Sequence, residues 1–214
     1  MTNARLISAP AVEPVSLADF LAHIRIEPGV EDDDCQQKLT AATRIIEQAT
    51  GRLRLLKSTW EWTLEEWPCD EDIDLPIPQV QSVSSITYMD SGGTTHTLSA
   101  SDYRLVNGYD PTTCAEQVTG LACVTLKSGK YWPTSILERG EPITVTFVAG
   151  WNYVDGSGNP IDVVPSALKT AILLQAGHLY RNREAITLGV TQTQSLDLVR
   201  GVEYHIAPYR VYEF

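Results

Sequence analysis

The chain has 214 residues and a net charge of −11, from 16 Lys+Arg against 27 Asp+Glu. Its 43% hydrophobic and 20% charged residues are those of a globular protein and exclude a disordered one, and no apolar run reaches bilayer-spanning length. The acidic balance argues against a broad face that grips nucleic-acid phosphates. It leaves open an acidic wall past which nucleic acid slides, and by composition alone it fits an ordinary acidic, soluble protein.

The first residues, MTNARLISAPAVEPVS, place no apolar segment behind a basic start. No secretory leader is therefore expected, and the protein is expected to be made and used in a cytoplasm. Residues 16–26 read as a short helix. Ser16 is a good N-cap with Asp19 three residues on, Val15 and Phe20 sit where a hydrophobic staple would, and Leu17, Phe20, Leu21 and Ile24 share a face. Pro28 and Gly29 end it. Residues 33–50 read as a longer helix. The run Glu31–Asp34 suits the positive end of its dipole. Leu39, Ala42, Ile45, Ile46 and Ala49 follow the 3.6-residue period, and Gly51 supplies the stop.

At Thr59 the period changes to two, with Trp60, Trp62 and Leu64 alternating with Glu61, Thr63 and Glu65. Strand-like runs follow at 73–77, 80–89, 94–98, 103–106, 121–127 and 143–151, separated by Gly- and Asn-containing turns. Pro76 and Pro78 mark an edge strand or a bend. The loop Asp155–Pro160 then returns the chain to a helix that starts at Pro165 and runs to about Arg183.

The expected fold is α+β: N- and C-terminal helices packed as a small bundle, an inserted antiparallel β domain (sandwich or barrel), and an extended C-terminal arm. Neither helical region has enough apolar surface to stand alone. The boundaries are 1–56 for the N-terminal helical region, 57–151 for the β domain, 152–185 for the helix completing the bundle, and 186–214 for a linker and arm.

Catalytic chemistry is hard to place. The sequence has no G-x-G-x-x-G, no phosphate-cradling G-x-x-x-x-G-K and no H-E-x-x-H. Gly156-Ser157-Gly158 is too short for a nucleophile elbow and reads as a turn. His23, His96, His178 and His205 lie in different elements, and no His stands at zinc-ligand spacing from Cys35, Cys69, Cys114 or Cys123. Free thiols are expected, with Cys114 and Cys123 placed to face each other across a hairpin. The carboxylates cluster at 31–34 and 70–74, as solvated faces or helix caps do. No catalytic, cofactor or metal site is therefore assigned. A carbohydrate- or ligand-binding β module with helical flanks is the alternative function. It would need an exposed aromatic platform around Trp132. A hydrolase using Ser157 or an acid pair is a further rival.

Binding residues are easier to nominate. The chain ends in Tyr204, Pro208, Tyr209, Arg210, Tyr212 and Phe214. Aromatic and Arg side chains are the anchors favoured at interfaces, and the polar stretch before them is linker-like. The expectation is an arm from about residue 201 that leaves its own bundle and binds a neighbouring chain; the alternative is a C-terminal strand covering its own core. Arg181 and Arg183 offer partner contacts or complement a helix C-terminus.

Four stretches, IIEQATGR, IDLPIPQVQSVSSITYMDSGG, GW…VPSALKTAILLQAGHLYRNRE and APYRVY, together resemble the head–tail connector (adaptor) proteins of long-tailed bacteriophages, the type with a helical core and a β insertion. The likeness runs from about Leu17 to Tyr212 and rests on order and spacing. It implies a structural, non-enzymatic virion protein without cofactors, assembled in the host cytoplasm and resident in the neck. Such proteins form a dodecameric ring under the portal. They extend the channel through which DNA passes without specific binding, serve in DNA ejection, and offer an attachment surface for the next neck or tail-completion protein. No membrane association is implied.

Overall fold

The computed structural model describes residues 4–10, 12–51, 53–69, 72–110, 121–151, 153–154, 160–161, 163–182 and 200–211. The chain divides into two compact units, Met1–Ala11 with Leu53–Val163, and Val12–Arg52 with Val164–Phe214.

The first unit is all β. Strands β1 (Ala4–Ser8), β2 (Ser58–Leu64), β4 (Val80–Met89), β5 (Thr95–Thr97) and β8 (Ile143–Ala149) form an antiparallel sheet in the order β1-β2-β8-β4-β5. A second sheet takes β3 (Asp72–Asp74), β7 (Cys123–Leu126) and β6 (Tyr103–Val106) in the order β3-β7-β6. A short ribbon pairs β9 (Tyr153–Val154) with β10 (Pro160–Ile161). Trp60 and Trp62 alternate inward as their period requires, opposite Phe147 and Val145 of β8. They share one buried cluster with Ile73, Tyr103 and Val124 of the second sheet, so the unit is a sandwich rather than a barrel. Register shifts between Val80 and Ser82 and between Val83 and Ser85 break the alternation of β4.

Several boundaries depart from expectation; the β unit, expected at 57–151, takes Leu53–Val163 together with Met1–Ala11, so the β9–β10 ribbon falls in it and not in the expected helical region 152–185. Residues 4–8, expected to belong with the N-terminal helices, form the edge strand β1 on β2. Only Ala4 and Leu6 of this strand pack on the core, and its other residues are largely exposed, so it carries no strong alternation. The expected strand 73–77 ends at Asp74, because Pro76 and Pro78 cannot donate to a ladder, although Leu75 and Ile77 remain buried.

The second unit is helical: α1 (Leu17–Ile24), α2 (Asp32–Ala49), α3 (Ser166–Arg181), α4 (Arg200–Ile206) and a 3₁₀ turn at Ala207–Tyr209. Ser16 caps α1 by accepting from the Asp19 amide at 3.1 Å, and Val15 and Phe20 are both buried. Arg25, in left-handed backbone at φ 61°, closes α1, with the Ile26 amide reaching the Leu21 carbonyl at 3.0 Å. Pro165 is the cap residue of α3 rather than its first turn. Helix α3 packs against α1, α2 and α4.

The C-terminal segment corrects the expectation of an extended arm leaving the bundle from about residue 201. Residues 200–209 are helical, and Val202 and Ile206, one helical turn apart, are fully buried beside α3. This i, i+4 apolar pair outweighs the aromatic residues around it. The Val211 amide then donates to the Thr50 carbonyl at 3.1 Å, fastening the segment to the end of α2. Gly51 makes that approach possible. Its φ is 81°, and a Cβ there would collide with the Val211 carbonyl.

Two outcomes follow for stability, measured by urea denaturation. Ile206→Ala should cost about 2–5 kcal/mol as a core truncation, whereas Tyr204→Ala should stay within about 0.5 kcal/mol. Gly51→Ala should cost about 1–2 kcal/mol for its left-handed backbone and should release Val211 from Thr50, seen as faster amide exchange at Val211.

Candidate functional site

Of the nominated C-terminal residues, Tyr204 projects from α4 with 84% of its surface exposed. Pro208 is also exposed, and Tyr209 and Arg210 are half-buried. Tyr204 stands edge-on to the His205 ring at 6.0 Å between centroids. Helical spacing therefore splits the segment. Val202 and Ile206 hold it to its own unit, and Tyr204 is left outward with its large apolar face in water. Tyr212 and Phe214 lie outside the described residues.

Arg181 is exposed at the end of α3. It lines a groove of about 800 Å³ together with His23, Ile24 and Arg25 from the end of α1 and Leu174, Gly177, His178 and Asn182 of α3. The floor is apolar, from Ile24 and Leu174, and the rim carries Arg25 and Arg181. Among the described residues no acidic side chain lines it. His178 is held in place by Asn182, whose amide nitrogen lies 2.9 Å from the His178 carbonyl and 3.1 Å from its Nδ1. Nothing in the sequence joins residues 23–25 to 174–182; the packing of α1 on α3 does. Arg183 lies outside the described residues.

On another side of α3, the Tyr180 hydroxyl donates to Glu31 Oε2 at 2.9 Å. This fixes the acidic α1–α2 turn, in which Gly29 takes φ 90° and donates its amide to Asp32 Oδ1 at 2.8 Å. Lys38 pairs with Asp34 at 3.3 Å. Val30, in the middle of this turn, is 71% exposed.

Among the described residues, several aromatic side chains of the β unit pack on one another. Trp132, expected to be exposed, is half-buried and stacks on Trp67 at 4.9 Å with the planes 9° apart. Trp67 meets Tyr88 edge-on at 5.5 Å, and Tyr88 stacks on His96 at 5.2 Å. The rings satisfy one another, and the exposed aromatic is the neighbouring Tyr131. The row ends where His96 Nε2 lies 2.7 Å from Asp90 Oδ2. That hydrogen bond, and the Thr94 and Gly92 amides on Oδ1, hold the Asp90 carboxyl below its ordinary value of 3.8. The stabilisation is therefore present above that value and is lost as pH falls through the depressed folded-state pKa. His96→Ala should raise the Asp90 titration midpoint towards 3.8 in NMR; an unchanged midpoint would assign the shift to the two amides.

Among the described residues no group of His, Cys, Asp or Glu is placed to hold a metal ion, and no helix is long and apolar enough to cross a membrane. Cys35 is buried, Cys69 exposed and Cys123 half-buried. Cys114 and Ser157 lie outside the described residues.

No protein-family model and no curated protein sequence matches the chain. Solved structures match it along nearly its whole length. A chain in the virion of a native gene transfer agent particle is 22% identical with a TM-score of 0.69, over 99% of this chain and 96% of that one. A chain in the neck of the empty particle, computed with C6 symmetry, is 22% identical with a TM-score of 0.71, over 99% and 97%. One in the neck of the native particle, computed with C12 symmetry, is 22% identical with a TM-score of 0.66, over 98% and 97%. The α+β fold is shared with these chains.

Proposed function

We propose that this chain is a structural protein of a virion neck, a head–tail connector assembled as a ring of twelve identical subunits. The ring docks under the portal, extends the DNA channel, and presents the attachment surface for the next neck or tail-completion protein. The observation that carries the proposal is the chain-long likeness of fold to chains from virion and neck structures, one of them computed with C12 symmetry. The net charge of −11 supports a passage for DNA, since an acidic or neutral wall does not retain phosphates through counterion release.

In this proposal the outward Tyr204, with Pro208, Tyr209 and Arg210, forms a contact surface for the portal. A large aromatic held rigidly on a helix that is already folded loses little conformational entropy on binding. Multiplied around a ring, a modest contact becomes firm.

Electron microscopy of the purified protein, alone and with portal-bearing capsids, tests the proposal. Closed rings seated at the portal vertex are expected. A protein that neither closes into rings nor attaches to capsids would exclude it. Tyr204→Ala, which keeps the fold, should weaken capsid attachment about 30-fold or more, the loss of a roughly 2 kcal/mol interface anchor; undiminished attachment would remove Tyr204 from the contact.

A further inference from the structure

The helical unit carries two charged features of opposite sign, on different sides of one helix. Leu174, Gly177, His178, Arg181 and Asn182 turn one side of α3 into the wall of the basic groove. Tyr180, which holds the acidic turn through Glu31, points roughly 110° away from the helical lining residues around the axis at 3.6 residues per turn. The α1–α2 connection thus leaves the groove at Arg25 and presents its acidic residues on another side of α3.

The two features match in chemistry as well as in sign. The groove has an apolar floor of Ile24 and Leu174 beneath a rim of Arg25 and Arg181. The turn has an exposed apolar tip, Val30, followed by the carboxylates of Asp32 and Asp33. It is shaped in advance by the Gly29–Asp32 and Tyr180–Glu31 hydrogen bonds, so little order has to be gained on docking. The groove, at about 800 Å³, is larger than a single small anion needs.

Building on the ring assembly proposed above, we propose that the acidic turn Val30–Asp34 of one copy seats in the α1/α3 groove of the next. Val30 enters between Ile24 and Leu174, and the carboxylates of Asp32 and Asp33 meet the guanidinium groups of Arg25 and Arg181. Two complementary patches on different sides of a molecule give head-to-tail association, the arrangement from which rings close.

The experiment uses the full chain at physiological salt, with sedimentation velocity for association and negative-stain microscopy for closure. The groove is reversed by Arg25→Asp with Arg181→Glu; Asp is chosen because it tolerates the left-handed backbone of residue 25. The turn is reversed by Asp32→Lys with Asp33→Lys. Circular dichroism melts check the folding of each variant. Should the double turn variant not fold, Asp33→Lys alone carries the test, because Asp33 is exposed and Asp32 is the residue that shapes the turn. Each reversed protein alone should self-associate at least tenfold more weakly than the wild type. An equimolar mixture should recover association, because each reversed groove then meets a reversed turn. Folded variants that assemble like the wild type would overturn the inference and leave the ring intact, as would a mixture that fails to recover while the wild type forms rings. A mixture that recovers, with wild type and mixture giving open chains and never rings, would uphold the inference and overturn the ring. Wild type and mixture both monomeric throughout would overturn both.

Discussion

The helical unit depends on the burial of α3, which has to pack against α1, α2 and α4 at once. It does so with small side chains among larger ones: Ala171, Ala176 and Gly177 lie buried beside Leu168 and Ile172. Small residues let neighbouring helices approach closely, and ridges of i±4 side chains then set how they cross. Gly177 shows the consequence. A Cβ at that position would rest at 3.8–3.9 Å from Ile24 and the His23 ring, so the end of α1 lies directly on α3 and the groove is a by-product of that contact. The same packing carries Tyr180 to Glu31 and Leu174 to Gly201. Groove, acidic turn and C-terminal helix are therefore placed by one helix.

Burial on α3 also explains how the C-terminus divides its labour. A seven-residue helix is too short to hold in water. Helix α4 persists because Val202 and Ile206 are buried in the unit and because Val211 is fastened to Thr50. Each fully buried Val or Ile contributes on the order of 1.5–3 kcal/mol of transfer free energy, enough to offset ordering a few residues. What remains outward, Tyr204 and Pro208, makes no claim on folding and is available to a partner. Among the described residues the segment thus turns the aliphatic Val202 and Ile206 to its own core and leaves Tyr204 exposed.

Much of the architecture was legible where the period was strong and local. Ser16, Val15 and Phe20 announce the start of α1, Gly51 the end of α2, and Trp60 and Trp62 the inward face of β2, because each follows from chemistry within a few residues. Other features were hidden for physical reasons. Strand β1 buries too little to alternate. Strand β4 was legible at its bounds, 80–89, but its bulges, which shift the register mid-strand, were not. The inward face of α4 consists of Val202 and Ile206 alone, a signal that the aromatic residues overshadow. The basic groove could not be read at all. Arg25 and Arg181 are far apart in sequence, and each looks like an ordinary charge beyond a helix end until tertiary packing sets them on one rim.

The groove and turn also bear on how a chain of net charge −11 would associate in the proposed ring. Between copies of equal charge the long-range force is repulsive, but at physiological salt it is screened beyond about 8 Å. Within that distance local charge decides, and here it is segregated. The acidic run lies at the N-terminus of α2 and the basic rim at the C-termini of α1 and α3, each where its helix dipole favours it. Charges placed to stabilise single helices are thereby sorted into patches of opposite sign, and the fold sets those patches on different sides of α3. The arrangement that suits each helix in isolation is also the one that, in the proposed ring, gives a second copy an attractive surface despite the repulsive total.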